Sequence, residues 1–151
     1  IQPNVNDEFQ AEIPQPFQKV HNKYIYLDHA KSVNWFGAVE SCHRINGHLI
    51  NLQSIEDLER LQTLLNKSYD YWTDLNNLVD LKVFYSLTTG SKGNLLNEPS
   101  HDGGNKDNLC GLLRYDNNTK KFKLLKQNCS STKGRPICET TRPTTIQVLV
   151  W

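Results

Sequence analysis

Between Asn97 and Cys110 the chain reads NEPSHDGGNKDNLC, a stretch dense in side-chain oxygens and glycine. Glu98, Asp102, Asn105, Asp107 and Asn108 are the donor types a hard cation accepts, because calcium takes roughly six to eight oxygen ligands. Ser100 and Lys106 fit such a set poorly, one offering a weak hydroxyl and the other repelling a cation. Asp, Asn and Gly are also the residues that turns use, so a solvated loop is the competing reading.

Other residues with chemistry are four cysteines, Cys42, Cys110, Cys129 and Cys138, in no CxxC spacing. That spacing disfavours zinc and permits two disulfides, with three connectivities open. Glycosylation sequons occur at Asn66-Lys67-Ser68, Asn117-Asn118-Thr119 and Asn128-Cys129-Ser130. The third is doubtful because its middle residue is a cysteine, leaving Asn66 and Asn117 as the candidate sites. Sequons and cysteines together favour an oxidising, secreted, extracellular setting. His43 and His48 lie near a helix end without a third ligand in register, which makes surface or capping roles the default. No nucleophile elbow, zinc signature or phosphate loop is present, so no enzyme is assigned.

Composition narrows the class further. The chain has 151 residues, 37% hydrophobic and 22% charged, with a formal net charge of +1. That is one domain's worth of core and no basic excess for nucleic acid. No apolar run approaches the length of a membrane span. The chain starts at Ile1 and contains no methionine, which reads as a mature form without its targeting segment.

These residues need elements to place them. Residues 1–17 read as a polar, proline-bearing arm, 18–139 as the domain and 140–151 as a tail whose apolar end, IQVLVW, wants a partner surface. KYIYL (Lys23–Leu27) has strand composition. Trp35, Val39, Cys42 and Ile45 recur at helical spacing, with Asn46-Gly47 as the stop. Ser54 caps a second helix with Asp57 in capping-box register and a stripe of Ile55, Leu58, Leu61 and Leu65, ending near Asn66. Tyr71–Leu75 is a strand; from Asn76 to Asn108 the pattern dissolves into a long irregular loop, and such loops are often functional. LCGLLRY, DNNTK and KFKLLKQNC form a hairpin with Phe122 and Leu124 on one face and Lys121 and Lys123 on the other. RPIC makes a last short strand.

This order resembles the C-type lectin-like domain, in a short form similar to small secreted insect lectins. The resemblance is carried by NWFGAVESCHRINGHLINLQS, YWTDLNNL, VFYSLTTG, the EPS tripeptide and the closing RPICE. It implies an α+β fold of two helices and small antiparallel sheets with a long irregular loop region. It also implies two disulfides, Cys42–Cys138 and Cys110–Cys129, and a non-enzymatic function in binding glycans.

In sugar-binding members, calcium is held by an EPN tripeptide, an acid before the third cysteine and a WND tripeptide. Here Glu98 and Pro99 match, Ser100 replaces Asn, and Asn108 and Leu109 leave no acid before Cys110. Leu124, Leu125 and Lys126 stand at the WND positions. The usual metal site is therefore expected to be non-functional. Glu98, Asp102 and Asp107, with Asn105 and Asn108, remain as a rearranged alternative in a loop two residues longer than the common spacing. Calcium is thus the only cofactor with a candidate site, and not a favoured one. Lys126 could pair with Glu98 and replace the ion's charge. Lys120, Lys121, Lys123, Lys126, Lys133 and Arg135 concentrate positive charge near the hairpin, for an anionic glycan or as a solvated face. The expected partner is a glycan or glycoprotein bound at Glu98–Asn108 and Lys126; the alternative is a protein-binding module that also forms homo- or hetero-oligomers through its tail.

Overall fold

The computed structural model describes residues 16–21, 23–92 and 108–140. In chain order they form β1 (Gln18–Val20), β2 (Lys23–Leu27), α1 (Trp35–Arg44), β3 (His48–Leu49), α2 (Ile55–Gln62), β4 (Tyr71–Asp80), β5 (Val83–Ser86), β6 (Leu109–Asp116), β7 (Lys121–Asn128) and β8 (Arg135–Thr140). The strands join in the order β1-β2-β8-β4-β6-β7, with β3 added to β8 and β5 to β4. All pairings are antiparallel except β4 with β8, which meet in parallel at Tyr71–Arg135 and Trp72–Pro136. Among the described residues no helix is long and apolar enough to cross a membrane.

Helix α1 begins where the Asn34 side chain accepts a hydrogen bond from the Gly37 N–H at 2.8 Å, satisfying one of the orphan donors of the first turn. Trp35, Ala38 and Cys42 are its buried residues; Val39 and Ile45 pack at the margin. Asn46 ends it in a left-handed conformation, φ 65°. The following Gly47 is required for a different reason: a Cβ there would lie 2.8 Å from the Phe17 ring and 2.9 Å from the Glu139 carbonyl. Phe17 itself is buried in the core.

In α2 the Ser54 hydroxyl accepts from the Asp57 N–H at 3.1 Å, as the capping register implies. Asp57 reaches back to the Gln53 N–H, one residue earlier than a regular capping box. The apolar stripe is narrower than expected: Leu58, Leu61 and Leu65 are buried, but Ile55 is 52% exposed. The helix also ends at Gln62, four residues short of Asn66, and Leu64 and Leu65 continue it as tighter i,i+3 turns.

Two core groups meet at β4 and β6. Tyr71, Leu113, Phe122 and Leu124 pack with α2 on one side. Trp35, Trp72, Leu112 and all four cysteines pack on the other. Each indole finds a backbone acceptor: Trp35 Nε1 donates to the Thr73 carbonyl and Trp72 Nε1 to the Val33 carbonyl, both at 2.9 Å. Both disulfides form as the resemblance implies, Cys42–Cys138 tying α1 to β8 and Cys110–Cys129 tying β6 to the end of β7. The β6–β7 hairpin is regular over eight pairs, Leu109–Asn128 to Asp116–Lys121.

The expected irregularity after Leu75 starts later. Strand β4 continues to Asp80 and turns into β5. Asn76 and Asn77, which read as loop residues in the sequence, are buried and bond across the sheet. Asn76 Nδ2 donates to the carbonyls of Asp74 and Tyr85, and Asn77 Nδ2 to that of Leu81. A strand that satisfies buried amides this way carries no hydrophobic alternation for a sequence pattern to detect.

The candidate recognition pole

One end of the molecule is set by the far end of β4, by β5 and by the open ends of β6 and β7. The chain leaves this end after Lys92 and returns at Asn108. Glu98, Pro99, Ser100, Asp102, Asn105 and Asp107 lie outside the described residues, as do most of the arm and the tail from residue 141. Asn108 is exposed at the point of return, and its carbonyl accepts from the Cys129 N–H at 3.2 Å. The next residue is fixed by β4: the Leu109 N–H donates to Asn77 Oδ1 at 2.6 Å.

Leu124 and Leu125 are 3% and 6% exposed, their side chains taken up by the core. Lys126 is half-buried opposite Gly111, with Nζ 5.4 Å from the centre of the Phe84 ring. An ammonium over a ring face gains electrostatic attraction from the quadrupole, about 0.5–1 kcal/mol at such exposure. Gly111 permits the close seating of β6 on β4, since a Cβ there would meet Thr73 Oγ1 at 2.6 Å. These three positions thus present two alkyl side chains and one cation, a donor set that does not fit a calcium ion, which needs anionic oxygens to offset its dehydration.

Beside Lys92 a cleft of about 310 Å³ opens, lined by Asn51, Gln53, Ser86, Thr89, Ser91 and Lys92 over an apolar floor of Leu52 and Leu75. Beneath it lies Asp74, fully buried. Its Oδ2 accepts from Ser86 Oγ and from the Thr88 N–H, and its carbonyl accepts from the Leu87 N–H. Among the described residues Oδ1 has no hydrogen-bond partner. Burial pushes the Asp74 carboxyl above its ordinary value, and the nearby Glu139 charge adds to this; the Ser86 and Thr88 bonds oppose it. Nothing in the sequence pattern marked Asp74, because an isolated Asp in a strand looks like a surface residue.

His48 lies past the helix end, at the start of β3, with its side chain 31% exposed. Its Nδ1 lies 3.3 Å from Thr88 Oγ1 and 3.8 Å from the buried Glu139 carboxylate. Lys23 Nζ is 3.3 Å from the same carboxylate and donates to the Asn51 carbonyl. The basic residues of the hairpin do not share one face. Lys123 pairs with Asp116 at 3.4 Å, Arg135 stacks on the Tyr69 ring at 3.7 Å, and Lys120 sits at the turn, far from Lys126.

Comparison with known proteins agrees with this architecture. Residues 31–140 match the family model described as the lectin C-type domain. C-type lectin 37Db of Drosophila melanogaster is 37% identical over 96 residues, covering 64% of this chain and 61% of that protein. C-type lectin 37Da of the same organism is 25% identical over 146 residues, covering 90% and 77%. Among solved structures, the C-type lectin domain of murine dendritic cell inhibitory receptor 2, in complex with N-glycan, superposes with a TM-score of 0.72 at 14% identity, covering 85% of this chain and 98% of that one. The mouse scavenger receptor C-type lectin carbohydrate-recognition domain does so with a TM-score of 0.66 at 17% identity, covering 85% and 96%. With the lectin C-type model spanning most of the domain, and with its helices and two disulfides in place, the chain belongs to the C-type lectin-like family.

Proposed function

We propose that this chain is a secreted, non-enzymatic recognition protein that binds glycans at the Lys92–Asn108 pole without the family's usual calcium. The observation that carries the reading is Lys126 seated on Phe84 between β7 and β5, beside the buried Leu124 and Leu125. In this reading the ammonium supplies the positive charge that an ion would otherwise bring, with Glu98 as its counter-charge.

Sugar hydroxyls then need donors and acceptors from the protein itself. The cleft beside Lys92 supports this, since its amides and hydroxyls suit neutral hydroxyl groups and Lys92 favours an anionic substituent. The curated relative with the higher identity is itself named a C-type lectin, and the chain spans less than two thirds of its length. A glycan array probed with calcium and with chelator tests the reading. Equal signals in both conditions, lowered by Gln53→Ala with Thr89→Ala, support it; signals seen only with calcium contradict it.

A second reading, a protein-binding module on the same fold, is favoured by the tip of the β4–β5 hairpin. Leu78, Val79 and Leu81 are exposed there, Val79 at 83%. Silence of the array in both conditions would favour this second reading.

A further inference from the structure

The three sequons occupy very different positions in the fold. Asn117, Asn118 and Thr119 are all exposed in the turn that joins β6 to β7. Asn66, Lys67 and Ser68 are all exposed in the turn after α2. There the Asn66 side-chain oxygen accepts from the Ser68 N–H at 2.8 Å, closing an exposed Asx turn. Both turns belong to the same end of the molecule. Lys67 Nζ lies 5.1 Å from the Tyr115 ring, and Tyr115 is one residue from the Asp116–Lys121 pair that closes the hairpin. The recognition pole is at the other end of that ladder, seven residue steps of about 3.4 Å away, or roughly 24 Å.

Asn128-Cys129-Ser130 lies at the recognition pole. Cys129 is fully buried and bonded to Cys110. Its carbonyl accepts from the Trp35 N–H, its N–H donates to Asn108, and the Asn128 carbonyl accepts from Thr132. Asn128 is half-buried, and its side-chain oxygen is shared between the Ser130 and Ser131 N–H groups at 2.9 Å each. A glycan there would have to emerge from a segment locked by a disulfide and three backbone bonds.

We infer that Asn66 and Asn117 carry N-linked glycans, that Asn128 does not, and that both glycans crown the end of the domain opposite the recognition pole. The modification forms a bond from Asn Nδ2 to the anomeric carbon of a lipid-pyrophosphate-linked oligosaccharide. The anomeric C–O bond to pyrophosphate breaks, the lipid pyrophosphate leaves, and the amide nitrogen gives up one proton. The arrangement leaves the cleft and the residues around Lys126 uncovered while hydrating the opposite surface.

This inference rests on the secretory reading above. The test therefore sends the full chain through the secretory pathway of insect cells behind a cleavable leader, so that failure belongs to this assignment and not to that reading. Enzymatic release of N-glycans in heavy-oxygen water converts each occupied asparagine to labelled aspartate, read by peptide mass mapping. Label at Asn66 and Asn117 and none at Asn128 is the expected result. Asn66→Gln and Asn117→Gln should each remove one glycan's mass from the intact protein, and Asn128→Gln should remove none. Secreted protein unmodified at Asn66 or Asn117, or labelled at Asn128, overturns the inference.

Discussion

Asn77 of β4 holds the backbone of Leu109 through its side-chain oxygen at 2.6 Å, so the residue where the long segment re-enters the fold is fixed by an amide from a neighbouring strand. Leu109 is buried, and so is the hydrogen bond its N–H makes. Removing the acceptor in Asn77→Ala should cost about 1–3 kcal/mol, the cost of a buried donor left unsatisfied. Chemical denaturation of the parent and variant checks this; a loss below about 0.5 kcal/mol would show that the bond is replaced.

Gly47 is expected to tolerate no side chain. Gly47→Ala places a methyl 2.8 Å from Phe17 and 2.9 Å from a backbone oxygen of β8, and only the ring can move. A loss of about 1–3 kcal/mol follows from such overpacking. Pairing it with Phe17→Leu should recover part of the loss, because the smaller side chain vacates the contact; additive losses in denaturation would contradict that geometry.

The two disulfides should differ in what they contribute. Cys42 and Cys138 are 96 residues apart, Cys110 and Cys129 only 19. In the chain-entropy model the first contributes about 4–5 kcal/mol and the second about 3 kcal/mol. Paired substitutions to alanine, compared by thermal unfolding, should rank in that order. A reversed order would mean that local packing around Cys110 outweighs loop closure.

Much of this architecture is legible in the sequence. Trp35 and Cys42 recur at helical spacing in one segment and Leu58, Leu61 and Leu65 in the next, Ser54 announces the second helix, and Phe122 and Leu124 alternate with lysines as a half-buried strand must. The disulfide pairing was not legible from spacing, which left three connectivities, and came through family resemblance. Phe17 looked like part of a polar arm but is buried against Gly47. The second half of β4 was hidden because Asn76 and Asn77 are buried by hydrogen bonding, a property of the partner strands and not of the segment itself. Asp74 was hidden for the same reason: its carboxylate belongs to Ser86 and Thr88, and no local pattern reports a contact 12 residues away.

Asp74 should also make stability depend on pH. Its folded value lies above the ordinary 3.8, chiefly through burial. The folded state therefore has this group's full contribution below about 3.8 and loses it as pH rises through the elevated value. Asp74→Asn does not titrate and keeps an acceptor for Ser86 and Thr88. Its stability relative to the parent should increase as pH rises from that range and then level off. Denaturation midpoints across the acid-to-neutral range test this; a difference flat in pH contradicts it.

Calcium itself offers the most direct measurement. An ion bound only to the folded chain at a hundred times its dissociation constant would stabilise it by about 2.7 kcal/mol. For a chain of this size that raises the melting temperature by roughly 5–10 °C. With Lys126 on Phe84 and two leucines beside it, the melting temperature is expected to be the same in saturating calcium and in chelator. A rise of several degrees with calcium, lost on chelation, would contradict a recognition pole that works without the ion.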